Sequence, residues 1–208
     1  MPPIREPVIH PVPIAELRPT QITIGRREVD ERRKHWRAEK SRKHSAAFLG
    51  THMIPVVVGP KKRHYIIDHH HLALALMEEG LADIFVLPVA QLDRLKQDMF
   101  WMFLDNRGWM HPFDDKGRRR PYDEIPHSLR DMVDDPFRSL AGALRRAGGY
   151  AKDTTPFSEF LWADFLRRRI RRRQVKDAFA GALREAVKLA KSRDADYLPG
   201  WCGTVDEA

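Results

Sequence analysis

The pattern of apolar and polar positions divides the chain into an N-terminal part with strand-like runs and a C-terminal part with helical spacing. Ile54–Val58 is a β-branched run that ends at Gly-Pro, and residues 65–67 form a second apolar run after a lysine-rich turn. Two such runs joined by a turn predict a β-hairpin. Residues 70–79 repeat apolar side chains at helical spacing and end before Gly80, which predicts a helix, and residues 84–89 predict another strand.

The segments before the hairpin are more polar. Residues 1–13 are rich in proline and predict an extended arm, and residues 14–24 predict a strand that runs into a turn. Residues 29–49 contain neither proline nor glycine, and Gly50 is placed to end them as a helix. Because apolar residues are few in this stretch, we expect a helix that lies mostly in solvent and packs at its C-terminal end.

The second half of the chain predicts helices that follow one long loop over residues 105–126. Asp135 followed by Pro136 is a helix start signal, since aspartate caps the first turn and proline suits the first helical position. A second Thr-Pro signal precedes a helix over residues 157–170. Apolar positions from 175 to 190 recur at helical spacing and predict a final amphipathic helix.

The predicted fold class is therefore α+β. We expect a small mixed β-sheet domain over residues 14–93, which holds the hairpin, the helix and the further strand. A C-terminal helical region over residues 94–208 is expected to pack on it. A length of 208 residues agrees with one ordinary domain, or with a small domain that carries a large appendage.

Composition excludes several classes of protein. With 42% hydrophobic and 32% charged residues, the chain has enough apolar material for a core, which excludes disorder throughout. No stretch approaches the roughly 18 uncharged apolar residues of a membrane span, and the first residues lack the apolar region of a secretory signal. Cys202 is the single cysteine, which excludes an internal disulfide. We expect a cytoplasmic protein without a membrane partner and without haem, flavin or an iron–sulfur cluster.

The chain carries a surplus of basic residues. Lys and Arg number 37 against 29 Asp and Glu, which gives a formal charge of +8. Such a balance is compatible with polyanionic partners such as nucleic acid or nucleotides. Six arginines stand together in one run near the end of a predicted helix. The run is either a solvated helix end, where positive charge suits the helix dipole, or a contact with nucleic acid. The run consists of Arg167, Arg168, Arg169, Arg171, Arg172 and Arg173.

The sharpest candidate for chemistry is the turn Asp68-His69-His70-His71, between the predicted strand and the predicted helix. The N–H groups and the dipole at a helix start attract phosphate. Asp68, His70 and His71 are the candidate catalytic residues, because histidines can exchange a proton near neutral pH and an aspartate can orient them. Asp68 can also hold Mg²⁺ together with phosphates. His69 is expected to contact phosphate.

Two other readings of this turn stay open. Asp68 can serve only as a helix cap before three partly exposed histidines. Coordination of a metal by the histidines is a further alternative, although three adjacent histidines cannot all face one metal on a regular helix. In the reading as a phosphate site, His70 lies in the first helical turn and projects outward.

Three arginines outside this turn are candidates for phosphate or nucleotide binding. Arg26 and Arg27 follow the first predicted strand, where they either reach the same site or form a surface pair. Arg138 lies in the first turn of a predicted helix, where a cation opposes the dipole. We therefore expect an anionic partner for Arg138, either a ligand or Asp134.

His111 is a fourth candidate for phosphate binding. It lies in the long loop over residues 105–126, and long loops without structure of their own are often functional lids. The alternative is a loop that is simply packed in place by Trp109.

Several segments resemble one family. Leu17-Arg18-Pro19-Thr20-Gln21, the run Ile54–Val58 and Ile66-Ile67-Asp68-His69-His70-His71-Leu72-Ala73-Leu74-Ala75 resemble the ParB-like nuclease family of the ParB/sulfiredoxin superfamily. Residues 134–140 and 159–166 resemble the extended branch of that family. The resemblance spans roughly residues 14–170, and it implies a ParB/sulfiredoxin-like mixed β-sheet domain and, from the label of the family, cleavage of nucleic acid.

The chain departs from the relatives of known activity at named positions. The free-serine kinases of this fold have Asp-Gly-His-His-Arg at the turn, whereas here His69 replaces the glycine and Leu72 replaces the arginine. Gln21 stands where they carry a glutamate that resembles a general base, and a glutamine cannot take up a proton. Sulfiredoxin places its reactive cysteine at the position of His69. Neither serine-kinase nor sulfiredoxin activity is therefore expected.

These observations favour a phosphate-processing enzyme that acts on a nucleotide or a nucleic acid. The reaction would be phosphoryl transfer or phosphodiester cleavage, with Mg²⁺ as the expected cofactor and a nucleotide as substrate or ligand. Two alternatives stay open: a non-catalytic nucleic-acid-binding module, and a nucleotide-gated switch of the partition-protein type.

Overall fold

The computed structural model describes residues 10–41 and 45–204. The strands are β1 (His10–Pro13), β2 (Thr23–Ile24), β3 (Ile54–Val58), β4 (His64–Ile66), β5 (Asp83–Gln91) and β6 (Val133–Asp134). The helices are α1 (Arg26–Ser41), α2 (Ser45–Thr51), α3 (His70–Glu78), α4 (Gln97–Asn106), α5 (Pro136–Arg146), α6 (Ser158–Arg167), α7 (Arg172–Asp177) and α8 (Phe179–Ala190). The predicted α+β class is confirmed.

The larger sheet has the strand order β1-β5-β3-β4. β3 is antiparallel to β4, with Val57 opposite Tyr65, and this confirms the predicted hairpin. β3 is parallel to β5 and β1 is antiparallel to β5, so the sheet is mixed. The register between β3 and β5 shifts just after Pro88. A proline, which has no N–H to donate, is compatible with such an interruption of the ladder.

Several predicted helix boundaries differ from the observed ones. The predicted helix over residues 29–49 is described as α1 and α2, and residues 42–44 lie outside the described residues. α1 is largely exposed, as its polar sequence indicated, but Val29 near its start is buried as well as Trp36, so its packing is not confined to the C-terminal end as expected. α2 continues one residue past Gly50, so the expected stop at Gly50 was wrong by a single position.

The final amphipathic helix was predicted as one element, and this prediction was wrong. Ala178 has φ −136° and ψ 52°, which separates α7 from α8. Val175 of α7 and Ala182 of α8 are both buried in one apolar cluster. The break therefore lets two short helices pack on the same core, although no glycine or proline marks it in the sequence.

Among the described residues, one compact unit, called unit 1 below, consists of residues 10–22, 29–41, 45–113 and 119–133. It contains the four-stranded sheet and α3, whose residues from Leu72 to Met77 are buried. A second apolar cluster in this unit centres on aromatic rings, with Tyr65 and Phe100 4.6 Å apart between centroids. The strand before the β4–α3 connection thus packs on this cluster through Tyr65, and the helix after it is buried from Leu72 to Met77.

The other compact unit, called unit 2, consists of the described residues 23–28, 114–118 and 134–204. Its core is helical, and α5 packs against α6, α7 and α8. Tyr150 and Trp162 stack at its centre with ring centroids 4.4 Å apart. Phe160 and Phe165 of α6 are both buried, and Phe165 belongs to this core.

The division of the sequence into residues 14–93 and 94–208 stays a prediction, because a compact unit in space is not the same as a segment that folds alone. Among the described residues, no helix combines the length and the apolar character that crossing a membrane requires.

Candidate functional site

The Asp68–His71 turn lies in unit 1 between β4 and α3. β4 ends at Ile66, and His70 is the first residue of α3. The prediction that His70 lies in the first turn of a helix directly after a strand is confirmed. The turn therefore places its polar residues at the helix start, where the dipole is positive.

His69 adopts a left-handed backbone conformation, with φ 65° and ψ 23°. Non-glycine residues rarely adopt this conformation, and it costs about 1–2 kcal/mol for an L-residue. The kinase relatives that the turn resembles carry glycine at this position, which avoids that steric cost. The Oδ1 atom of Asp68 accepts a hydrogen bond from the His69 N–H at 2.6 Å, which supports the bend. Asp68 thus holds the residue before the helix rather than capping the first helical turn.

His70 is buried, with 3% of its surface exposed. Its Nε2 atom accepts a hydrogen bond from the backbone N–H of Thr20 at 3.2 Å, and the Thr20 hydroxyl donates to the carbonyl of Ile66 at 2.6 Å. Burial, followed by the charge of His71, lowers the pKa of His70 to about 3, so the ring is neutral near pH 7. The expectation that His70 projects outward was wrong.

The sequence contained a signal for this burial. His70 lies three, four and seven positions before Ala73, Leu74 and Met77, and all three are buried. Residues at this spacing share one helix face, so His70 faces the core as they do. The ring nitrogen of His70 is satisfied by the N–H of Thr20, which was not predicted as a structural partner.

The other residues of the turn are more accessible. The side chain of Asp68 is 75% exposed and that of His69 is 42% exposed, and His71 is half-buried. The Nε2 atom of His69 lies 3.9 Å from Oδ2 of Asp68. Asp68, His69 and His71 are therefore accessible enough to take part in chemistry. The ring of His70 is buried and bonds to the backbone of Thr20 instead.

Thr20 also joins the predicted lid residue to this turn. The backbone N–H of His111 donates to the Thr20 carbonyl at 2.9 Å, and a single bridge pair joins Gln21 to His111. The His111 ring stacks on Phe113 with centroids 4.6 Å apart. Since the N–H of Thr20 bonds to His70 and its carbonyl bonds to His111, the structure brings three separate sequence motifs together at one residue.

A metal site in a protein requires a group of ligating side chains. Within residues 10–41 and 45–204, no group of three or more His, Cys, Asp or Glu side chains is placed to hold a metal. Mg²⁺ often takes one or two carboxylates together with waters and phosphate oxygens, and the exposed Asp68 can supply one such oxygen. The Mg²⁺ site at Asp68 stays a prediction.

The arginine candidates Arg26, Arg27 and Arg138 belong to unit 2, whereas the turn belongs to unit 1. The Nη1 atom of buried Arg138 lies 3.1 Å from Oε2 of Glu28, so its anionic partner in the protein is Glu28 and not Asp134, which was the alternative to a ligand. The carboxylate of Asp134 instead accepts from the Arg26 backbone N–H at 2.9 Å. The reason is local geometry, since Asp134 lies next to the start of α1 rather than beside the Arg138 guanidinium.

Arg27 has an aromatic partner. Its guanidinium lies over the ring of Phe179, 4.0 Å from the centroid. The backbone N–H of Arg27 donates to the Ser139 hydroxyl at 3.2 Å. These contacts belong to unit 2 and attach the start of α1 to α5 and α8.

The arginine run spans the end of one helix and the start of the next. α6 ends at Arg167, and α7 begins at Arg172. Five arginines of the run line one cavity: Arg167, Arg168, Arg169, Arg171 and Arg172. Arg173 is not among the described lining residues, and it pairs with Asp177 on the surface. The loop residues Lys116 and Arg118 also line this cavity, and neither was predicted as a site residue because both lie far from the run along the chain.

The comparisons with known proteins identify the family. The family described as "Putative ParB-like nuclease" matches residues 10–168. The chain therefore belongs to this ParB-like family, as its motifs indicated, and the family supports a role related to nucleic acid.

One solved structure resembles almost the whole chain. The crystal structure of protein Atu1540 from Agrobacterium tumefaciens is 53% identical, with a TM-score of 0.89, over 96% of this chain and 100% of that chain. None of the proteins with curated descriptions matches the chain.

Proposed function

We propose that this protein is a phosphate-processing enzyme that acts on nucleic acid, with the Asp68–His71 turn of unit 1 as its reactive site. The main observation behind the proposal is that both backbone groups of Thr20 are hydrogen-bonded to histidines. Its N–H bonds to His70 and its carbonyl accepts from His111, so three motifs converge at the start of α3. Family membership supports nucleic acid as the substrate class.

The roles of the three histidines differ under this proposal. His70 is a positioning residue, because its Nε2 already accepts a hydrogen bond and its lowered pKa keeps the ring neutral. His71 and His69 are the candidates that exchange a proton or contact phosphate, since neither is fully buried. Asp68 is exposed and adjacent, where it can orient His69 or supply an oxygen to Mg²⁺ beside a phosphate.

The helix start provides the electrostatic part of the site. The first N–H groups of α3 lie at the positive end of its dipole, which favours a phosphate group in the first turn. His69, in its left-handed conformation, precedes that turn directly. Phosphodiester cleavage depends mainly on such positioning and charge stabilisation, with a proton carrier close to the reacting oxygen.

The test replaces His71 by alanine and follows cleavage of labelled single-stranded and duplex oligonucleotides in the presence of Mg²⁺. We expect the rate to fall by about a hundredfold to ten-thousandfold, the usual effect of losing an acid–base group. His127→Ala is the matched control, because His127 is an exposed histidine of the same unit that lies outside the turn. Equal cleavage by wild type and His71→Ala would remove the turn as the site of reaction.

A non-catalytic nucleic-acid-binding module is the second candidate, and the basic cavity of unit 2 favours it. Such a module would retain full affinity in His71→Ala and would release no product with any of these oligonucleotides.

A further inference from the structure

Unit 2 contains a cavity of about 490 Å³ with an unusual lining. Basic side chains make up seven of the ten lining residues, against one carboxylate and two apolar side chains. The lining residues are Asp115, Lys116, Arg118, Phe137, Arg167, Arg168, Arg169, Ile170, Arg171 and Arg172. A volume in this range is typical of ligand pockets, whose lining is usually apolar rather than basic.

The wall formed by the 114–118 loop is fixed by specific contacts. Arg172 donates to the backbone carbonyl of Asp115 at 3.1 Å and pairs with its carboxylate at 2.6 Å. The Asp114 carboxylate accepts from the N–H groups of Lys116 and Arg118, each at 2.9 Å. Gly117 has φ 71°, and a Cβ there would lie 2.5 Å from Oδ1 of Asp164, so the loop approaches α6 too closely for a side chain.

Two arginines of the cavity lining, Arg167 and Arg169, make contacts with other residues of unit 2. Arg167 pairs with Asp135 and with Asp164. Arg169 lies over the Phe165 ring, 3.8 Å from its centroid, and donates to the Phe165 carbonyl at 3.2 Å. Arg167, Arg169 and Arg172, three of the seven basic residues of the lining, are therefore held by contacts within the protein.

The remaining four cations have no such partners. Within the part of the chain that the structure describes, the side chains of Lys116, Arg118, Arg168 and Arg171 make no ion pair or hydrogen bond with the protein. Cations gathered around one small volume repel one another, and a bound polyanion removes that repulsion. The scaffold contacts therefore leave four exposed cations without an ion pair around this cavity, among the described residues.

We propose that this cavity binds the phosphate backbone of nucleic acid through Lys116, Arg118, Arg168 and Arg171. Guanidinium groups present forked donors that match phosphate oxygens, which suits three of these four residues. That the phosphate belongs to nucleic acid rests on the proposed function and the family, whereas the affinity for phosphate rests on the cavity alone.

The lining also indicates how sequence-specific the binding is. Its aromatic ring, Phe137, is buried and lies under the Arg167 guanidinium at 5.4 Å from the centroid. It is thus not available to stack on a base. Contacts to phosphate carry no sequence information by themselves, so the cavity binds nucleic acid without base preference.

The test compares Arg168→Gln/Arg171→Gln with Arg173→Gln in the 208-residue chain. Arg173 is the matched control, since it belongs to the same run, is 93% exposed and lies outside the cavity lining. Affinity for labelled duplex and single-stranded oligonucleotides of several sequences is measured at rising salt. The double variant should reduce the slope of log affinity against log salt by about 0.9 per lost phosphate contact on duplex and about 0.7 on single strands. The control should keep the wild-type slope.

An unchanged slope in the double variant, or an equal loss in Arg173→Gln, would overturn the proposal. Thermal stabilisation by inorganic phosphate or a mononucleotide, with no oligonucleotide binding, would overturn the assignment of nucleic acid as the ligand. Failure here is distinguishable from failure of the proposed reaction, because the cavity variant loses affinity whereas His71→Ala loses turnover.

Discussion

At the scale of single residues, three adjacent histidines have three different environments. His69 is exposed with a left-handed backbone, His70 is buried and neutral, and His71 is half-buried on α3. Residue type alone suggested three similar groups. The helix face on which each side chain lies determines which of them can meet a substrate.

The buried position of His70 predicts a structural effect of its removal. In His70→Ala, the N–H of Thr20 loses its acceptor and the ring leaves a cavity, so we expect the free energy of unfolding to fall by about 2–4 kcal/mol. Chemical denaturation measures this change. His127→Ala should stay within about 0.5 kcal/mol of wild type, as usual for a surface substitution. A similar small change in His70→Ala would show that Thr20 does not depend on this hydrogen bond.

The lowered pKa of His70 predicts a pH dependence of stability. The unfolded histidine takes up its proton near pH 6.5, whereas the folded one does so only near pH 3. Between these values the unfolded state binds more protons, so the free energy of unfolding falls with falling pH, by up to about 1.4 kcal/mol per pH unit. Denaturant titrations from pH 7 to pH 4 should show this decrease in wild type and a shallower one in His70→Gln. Parallel curves would contradict the assignment of the proton uptake to His70.

At the scale of elements, α5 is held by a buried ion pair. Arg138 in its first turn pairs with Glu28, and Arg146 at its end lies 3.4 Å from the same carboxylate. Gly142 lies between them on the helix, and a Cβ there would lie 1.5 Å from Oε1 of Glu28. The Glu28 carboxylate thus occupies the space that a side chain at position 142 would need.

Gly142→Ala should therefore displace Glu28 and leave the Arg138 charge buried without its partner. Breaking one side of a buried pair typically costs about 3–5 kcal/mol, and we expect a loss of that size in the free energy of unfolding. Gly181→Ala in α8 is the control, because the nearest atom to its new Cβ is 3.9 Å away. There the substitution should stabilise the protein by about 0.5–1 kcal/mol, since alanine favours the helix. Equal effects of the two substitutions would contradict the role of Gly142.

The same elements show what a sequence can predict. The β3–β4 hairpin and the helix start at His70 depend on neighbouring residues, and both were predicted correctly. The break at Ala178 has no local signal, because alanine is a good helix former. The partner of Arg138 lies 110 residues away, and spacing along the chain carries no information about such a contact.

At the scale of the whole molecule, the formal net charge of +8 does not show which basic side chains are paired with carboxylates and which are not. Many of the basic side chains are paired: Arg33 and Arg37 with Glu79, and Arg120 with Glu124. The arginine run was predicted from composition, but which of its members remain unpaired depends on tertiary contacts. Lys116 and Arg118 join Arg168 and Arg171 at one cavity only because the 114–118 loop is fixed against α6.

The ion pair between Glu28 and Arg138 has a consequence for the order of events during synthesis. The two residues are 110 positions apart, and ribosomes add about 5–20 residues per second. Glu28 therefore emerges roughly 5–20 s before its partner, and β3, β4 and β5 are made in the interval. The three segments of unit 2 can come together only after most of unit 1 has been translated, so unit 2 is completed last.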